Sequence, residues 1–501
     1  MPSHARESIE LKREADERRW DTGVLQPSGP MATARHSDSS GLLRPCSSTP
    51  GGSSPERARP TAYLDGLRGF AAFLVYWHHH QLWAHLPPQV AAFESSFGFS
   101  GRHYFATLPG IRILFHGGHF AVAVFFVISG YVLSAKPLSL IHAGDQARLA
   151  DSLASALFRR WFRLFLPIIC TTFVYMTLQQ ALGIWIDGFP SQPNYLQGIL
   201  DWSAQILRFT FVFRSDKSAL LSYNYHLWSI PIEFRGSLVI YTSLLAFSRC
   251  GRNARLCCEA VLIFYLLCLV DGAFYALFAA GMLLRDLDQL AAADDLPPFL
   301  DRLLRRPHHP SAVSWAPLLL VAISLYLGGC PARTSDVGDD LERNPGWYLL
   351  SFLVPPPLSD AKWFFLFWAA VLLVGVLPRL PRLRCFFETP FCQHLGRISY
   401  ALYLVHGPVL NTLGDRLYAA VGWPGAGRLY NLPGWVNLFP LPISGPLGLE
   451  IAFLLPHLIL LPLTLYLAEL VTRTVDEPSV RFAQWLYNRV ASAPPPARLP
   501  A

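Results

Sequence analysis

The chain has 501 residues, of which 52% are hydrophobic and only 15% are charged, with a formal net charge of +7. Ordinary soluble domains carry about 25% charged residues, so this chain has too little charge to cover a soluble surface of its size. Its basic residues lie between apolar blocks rather than on one polar surface, which argues against a nucleic-acid partner. The composition therefore predicts a protein embedded in the lipid bilayer.

The two ends of the sequence differ from the rest in composition. Residues 1–60 are polar and rich in Ser, Pro, Gly and Arg, and they contain no apolar block of the kind that a secretory signal needs. We expect a disordered cytosolic tail over 1–60, a membrane domain over 61–490 and a second disordered tail over 491–501. The nine cysteines form no CxxC pair, so the sequence predicts neither a disulfide framework nor a zinc site.

Between the tails lie ten apolar blocks, and most approach the roughly 20 residues that a membrane-spanning helix needs. The fifth and sixth blocks meet at Asp271 and Gly272 with arginines on both sides, which favours a hairpin over one long span. The arginines of the loops predict an all-α, polytopic fold with about ten transmembrane helices and both termini cytosolic. Endoplasmic reticulum and plasma membrane both remain open. The blocks cover residues 63–84, 118–137, 162–184, 226–248, 254–270, 272–287, 313–330, 361–378, 397–421 and 446–471.

Ionisable residues inside a membrane are costly and usually functional, and the first block holds several. Arg68 and His79 are eleven residues apart, which at about 100° per residue is within about 20° of three full turns. Both side chains therefore share one helix face, and Asp65 lies near enough to orient Arg68. The consecutive histidines 78–80 point in different directions and cannot converge on one metal from a single helix, so we predict no metal site.

Further candidates lie in the second to fourth blocks and just before the third, where Arg160 lies. Arg160 and Arg163 share a helix face at i, i+3, which suits either a topology anchor or a clamp for phosphate. Ser129 and Tyr131 are polar at membrane depth, in a segment that serves either helix packing or chemistry. Glu233 lies within an apolar block, so it must pair with an arginine or a histidine, or be protonated.

The fourth, ninth and tenth blocks complete the set of candidates. His226 and Trp228 open the fourth block, and Tyr403 and His406 share one face of the ninth. Together with the serine and tyrosine of the second block, we expect these four side chains to line a substrate cavity. We interpret 476–478, just beyond the tenth block, as a helix terminus.

These residues, in this order, resemble the acyltransferase 3 family of integral-membrane acyltransferases, from about Tyr63 to Arg481. Each motif alone is weak, but the ordered set is specific. The long Ser/Pro-rich N-terminal tail is similar to that of fungal members, and we expect no fused extracytoplasmic hydrolase-like domain. The matching motifs are D-G-L-R-G with Arg68-x10-His79, F-F-x-I-S-G-Y (Phe125 to Tyr131), R-x-x-R (Arg160, Arg163), W-S-x-x-x-E (Trp228 to Glu233), F-x-x-G (Phe278, Gly281), I-S-Y-x-x-Y-L-x-H (Ile398 to His406) and Glu477-Pro478.

The resemblance implies an acyl-CoA donor, an acceptor hydroxyl on a carbohydrate or small metabolite, and essential roles for Arg68, His79, Arg160 and Arg163. We expect acyl-CoA, in particular acetyl-CoA, as a co-substrate rather than a bound cofactor, with the three arginines on its phosphates. In this hypothesis His79 is the general base and Glu233 orients a histidine or an arginine of the cavity. A transient acyl-imidazole on His79 is an open alternative.

Two other classes of function compete with this hypothesis. A proton-coupled transporter would also place charges inside the membrane, although no internal repeat of the kind found in many transporters is evident. A non-catalytic scaffold or sensor would not depend on Arg68 or His79. The acceptor, whether a fungal secondary metabolite or a cell-surface glycan, the acyl chain length and the oligomeric state are left open by the sequence.

Overall fold

The computed structural model describes residues 61–85, 92–93, 103–184, 192–213, 220–304, 315–331, 346–423 and 434–491, together with the single positions 97 and 186. Helices joined by loops and turns make up these ranges, and no strand is found within them. The cysteines in this part of the chain are free thiols, in line with the prediction of no disulfide framework. The predicted tail 1–60 and residues 492–501 of the second tail lie outside the described residues, so their disorder stays a prediction.

Long helices account for most of the described chain, and shorter helical turns connect or extend them. The long helices are α1 Ala62–Ala84, α2 Gly118–His142, α3 Gln146–Leu182, α4 Tyr195–Thr210, α5 Ser229–Phe247, α6 Arg252–Phe264, α7 Ala273–Ala292, α8 Ala316–Gly328, α9 Lys362–Val376, α10 Pro390–Val409, α11 His457–Val471 and α12 Glu477–Val490. The shorter helical segments are Phe105–Thr107, Ile113–His116, Ser222–Trp228, Tyr265–Leu269, Pro298–Leu304, Tyr348–Ser351, Leu377–Arg379, Pro381–Phe387, Leu410–Gly414, Asp415–Ala420, Ile451–Leu454 and Thr472–Asp476.

The apolar blocks of the sequence all contain helix where the structure describes them, which agrees with an all-α membrane protein. By length and composition, five helices of the described chain are long and apolar enough to cross a membrane, and Ala316–Gly328 is a shorter apolar helix. The prediction of about ten spans with cytosolic termini therefore stays a prediction. The five long helices are Gly118–His142, Gln146–Leu182, Ser222–Phe247, Lys362–Arg379 and Ile451–Val490.

The fifth and sixth apolar blocks form two helices, as the hairpin prediction requires. α6 ends in the turn Tyr265–Leu269, the chain bends at Gly272, and α7 then packs back against α6. A buried ion pair joins the other ends of these helices, because Arg255 of α6 donates to Asp286 of α7 at 2.7 Å. The ring of His142 at the end of α2 lies 2.7 Å from the same carboxylate and so links a third helix to the pair.

Helices α2 and α7 cross at two glycines that belong to separate sequence motifs. A Cβ at Gly130 of α2 would lie 2.0 Å from the carbonyl oxygen of Phe278, and one at Gly281 of α7 would lie 2.1 Å from that of Val127. Such backbone proximity is open only to glycine, as in other closely packed membrane helices. The glycines of F-F-x-I-S-G-Y and F-x-x-G are therefore the two halves of one packing contact.

A second close crossing joins α1 to α10 and places the first arginine of the site. A Cβ at Gly69 would lie 2.2 Å from the backbone nitrogen of Gly396, and one at Gly396 would lie 2.4 Å from the carbonyl oxygen of Asp65. This approach lets the guanidinium of Arg68 donate to the Gly396 carbonyl at 3.0 Å. The D-G-L-R-G motif thus combines a packing function in its glycines with a binding candidate in its arginine.

The interpretation of 476–478 as a helix terminus is wrong. α11 continues through a π-helical turn, Thr472–Asp476, directly into α12. Pro478 lies directly after this turn, at the second position of α12. The wider π-turn changes the helical phase, and the Asp476 side chain is buried in the bundle rather than exposed at a helix end.

The α2–α7 crossing predicts that Gly281→Ala lowers the free energy of unfolding by about 1–3 kcal/mol, because the new methyl group meets backbone that cannot give way. The thermal unfolding midpoint of the detergent-purified protein measures this effect. Gly198→Ala in α4 is the matched control, since a Cβ there would lie 3.4 Å from the flexible Gln180 side chain. An unchanged midpoint for Gly281→Ala would contradict the close crossing.

Candidate active site

A cavity of about 150 Å³ lies among α1, α2, α3, α5 and α10, and Asp476 also lines it. One part of its lining is apolar, contributed mainly by α2. The other part carries four arginines and two acids, and this excess of positive charge fits an anionic ligand, since guanidinium groups bind phosphate well. The charged lining residues are Arg68, Arg160, Arg163, Glu233, Arg397 and Asp476.

A buried ion pair between α3 and α5 forms part of the cavity wall. Arg160 donates to the Glu233 carboxylate, and its Nε also donates to the Ser237 hydroxyl at 2.8 Å. The Ser129 hydroxyl donates to the same Glu233 oxygen at 2.7 Å. Of the partners that the sequence left open for Glu233, the structure selects an arginine. The carboxylate therefore fixes the orientation of Arg160 and neutralises part of the positive charge.

Asp476 is a cavity residue that the sequence analysis missed. It interacts electrostatically with Arg163 and Arg68, and these two arginines also interact with each other. Arg68 has a second acidic neighbour in Asp65, 3.7 Å away. A carboxylate set between two guanidinium groups offsets their repulsion, so Asp476 helps to hold Arg68 and Arg163 at one site. The sequence places this position beyond the tenth block and favours a helix terminus there, whereas the helix continues through the π-turn and brings the side chain into the bundle.

Three histidines from different segments meet beside the cavity. The Nδ1 of His79 lies 3.1 Å from the Nε2 of His406. The ring centroid of His226 lies 4.3 Å from that of His79 and 5.1 Å from that of His406. The sequence analysis named all three residues but did not predict that they converge, because it considered the triplet 78–80 on its own helix.

Each of these histidines lies about one helical turn beyond a residue that lines the cavity. Three or four residues of helix correspond to a rise of about 4.5–6 Å on the same face, so the histidine group lies that far beyond the residues that line the cavity. The pairs are Val75 with His79 on α1, Ser229 with His226 at the start of α5, and Tyr403 with His406 on α10.

A short chain of hydrogen bonds connects the cavity lining to the histidine group. The Tyr403 hydroxyl donates to the backbone carbonyl of His226. Its oxygen then accepts from the Ser229 hydroxyl, 2.8 Å away. Since both hydroxyl groups line the cavity, they fix the backbone that carries His226 and the face of α10 that carries His406.

The other two histidines of the triplet have different neighbours, as their directions on α1 predict. The ring of His78 packs edge-on against that of His116, with centroids 4.4 Å apart, and the Nδ1 of His80 lies 2.8 Å from the Tyr418 hydroxyl. The ligand atoms of the group formed by His79, 226 and 406, in contrast, lie within 4.8 Å of one another and could hold a metal ion. The absence of a metal stays a prediction.

Four of the six predicted cavity residues do not line this cavity, and two of the four, His226 and His406, belong to the histidine group beyond it. Tyr131 lies about 200° around α2 from Ser129, and its hydroxyl donates to Asp288 of α7 at 2.8 Å. Trp228 packs against aromatic rings, with its centroid 6.1 Å from that of Phe274. Ser129 and Tyr403 do line the cavity, together with the arginine of α10 that the sequence analysis passed over.

Comparisons with known proteins show which family the chain belongs to. The model of the acyltransferase 3 family, described as an acyltransferase domain, matches residues 61–459. The O-acetyltransferase PaAT-1 of Phomopsis amygdali is 31% identical over 498 residues, covering 90% of this chain and 89% of that protein. The acyltransferase clz18 of Cochliobolus lunatus is 24% identical, covering 85% of this chain and 96% of that protein. No solved structure matches. The chain is therefore a member of the acyltransferase 3 family.

Proposed function

We propose that this membrane acyltransferase moves an acyl group, specifically acetyl, from acyl-CoA to a hydroxyl group of a small metabolite or carbohydrate. The observation that carries the proposal is an arginine-rich cavity with a group of three histidines, two buried and one half-buried, about one helical turn beyond its lining. Similarity to a protein named as an O-acetyltransferase supports acetyl as the transferred group. Endoplasmic reticulum and plasma membrane are equally compatible with this function.

The donor would bind through its phosphate groups. Arg68, Arg160 and Arg163 line one cavity, and guanidinium forks form paired hydrogen bonds with phosphate oxygens. With its phosphates held there, the pantetheine arm of CoA would extend along the apolar lining toward the histidine group. Along α1, Arg68 and Val75 line the cavity and His79 follows one turn after Val75, so the arm would run from Arg68 toward His79.

His79 would act as the general base in the transfer step. The acceptor oxygen attacks the thioester carbonyl carbon while His79 takes the hydroxyl proton. The carbon–sulfur bond then breaks, the ester forms, and the CoA thiolate takes the proton back from His79. Atoms and protons balance within this exchange, and neither an oxidant nor a reductant is needed. The cavity arginines do not touch the transferred proton; they position the donor.

The proposed mechanism predicts that transfer needs both the base, His79, and the arginines that bind the donor. A strain that lacks this protein should accumulate products lighter by one acyl group, and its small-molecule extract then serves as the acceptor in an assay with labelled acetyl-CoA. His79→Ala should reduce label transfer by about 10²–10⁴-fold, the usual contribution of a general base. Arg163→Ala should also abolish transfer at low acetyl-CoA concentration.

His457→Leu is the control for these variants, because His457 is also buried but contacts Tyr76 and Tyr418 rather than the cavity. It should keep label transfer within a few-fold of wild type. Near-normal transfer by correctly folded His79→Ala would contradict the proposed mechanism. Movement of a solute across liposomes without consumption of acetyl-CoA would instead support a transporter.

A second prediction separates binding from chemistry at Asp476. Asp476→Asn removes the charge that holds Arg68 and Arg163 together, so the KM for acetyl-CoA should rise by about tenfold, which corresponds to roughly 1.4 kcal/mol. Its neighbour Glu477 does not line the cavity, and Glu477→Gln should leave KM unchanged. Equal KM values for the two variants would show that Asp476 does not position the arginines.

A further inference from the structure

In the hydrogen bond between His406 and His79, the backbone around His406 determines which ring donates the proton. The Nδ1 of His406 lies 3.2 Å from the carbonyl oxygen of Leu402, one turn earlier on α10. A carbonyl oxygen only accepts hydrogen bonds, so this nitrogen must carry the proton. In the neutral ring, the Nε2 of His406 is then the acceptor, and it faces His79.

The same logic extends to His79. The Nε2 of His406 lies 3.1 Å from the Nδ1 of His79, and one of the two nitrogens must donate. Because the Nε2 of neutral His406 is an acceptor, the proton is on the Nδ1 of His79. The Nε2 of His79, on the other side of the ring, therefore keeps a free lone pair.

The opposite direction would require a second proton on His406. That proton would place a positive charge on a buried ring that contacts two further imidazoles, and among the described residues no acidic side chain pairs with it. Burying an unpaired charge is costly, so the neutral arrangement is the stable one. The ring of His406, near-parallel to that of His79 at an interplanar angle of 23°, is held in place by its bond to Leu402.

We propose that His406 is a positioning residue that fixes the tautomer of His79 and so presents the Nε2 of His79 as the base for the acceptor hydroxyl. This inference rests on the proposed function, since it gives the tautomer a role only if His79 is the base. His406 faces the Nδ1 of His79, on the opposite side of that ring from the Nε2 that would take the proton. A change at His406 should therefore alter kcat, because it changes the tautomer of His79.

The test compares His406→Leu with His406→Gln in the assay with labelled acetyl-CoA and the extract of the deletion strain. Leucine removes the acceptor for His79, whereas glutamine returns a carbonyl oxygen to nearly the same place. His406→Leu should lower kcat by about 10²-fold, within the range of a general-base contribution, with the KM for acetyl-CoA unchanged. His406→Gln should recover about tenfold of that loss, because the acceptor is restored.

A double variant shows whether His406 acts through His79. In the His79→Ala background, His406→Leu should cause no further loss, because the tautomer that it sets no longer exists. His457→Leu in the same background serves as the control for general loss of a buried histidine. A further loss of about 10²-fold in the double variant would give His406 an independent role and overturn the inference.

The remaining outcomes separate the inference from the proposed function. Full activity of His406→Leu together with inactive His79→Ala would overturn the inference and leave the proposed function in place. Full activity of His79→Ala would overturn the proposed function itself. Loss of activity on treatment with a chelator, restored by Zn²⁺, would assign these nitrogens to a metal and overturn the hydrogen-bond scheme.

Discussion

The cost of a charge inside a membrane is the constraint on which the rest of this site depends. Arg160 and Glu233 occupy apolar segments of α3 and α5, and each is tolerated because the other neutralises it. The pair holds the two helices in one register, and Ser129 of α2 joins it as a third contact. This ion pair fixes one wall of the cavity. Arg68 and Arg163 also line the cavity, and the negative charge of Asp476 offsets part of their positive charge.

Close backbone contact is the second structural requirement, and glycine provides it. The α1–α10 crossing brings Arg68 to the cavity and sets His79 opposite His406, so one pair of helices positions both ends of the site. The α2–α7 crossing closes the neighbouring part of the bundle. The motifs therefore mix packing and chemistry: within D-G-L-R-G the glycines allow the approach that the arginine uses.

Much of this arrangement follows from the sequence, and the exceptions have physical reasons. Composition and helical period predict an all-helical membrane protein and place Arg68 and His79 on one face, because both depend on local spacing. The meeting of His79 with His226 and His406 depends on how distant helices pack, which local spacing does not contain. Asp476 was misread because a π-turn shifts the phase of the helix, and Tyr131 because its position on α2 faces away from Ser129.

In the proposed mechanism the arginines bind the donor and His79 transfers the proton, and calorimetric titration of the purified full-length protein with CoA tests this division most directly. Wild type and His79→Ala should bind CoA with equal affinity, although the variant has lost turnover. Arg163→Ala should bind CoA at least about tenfold more weakly, a difference of roughly 1.4 kcal/mol. Equal binding by Arg163→Ala and wild type would contradict the assignment of the cavity to the donor.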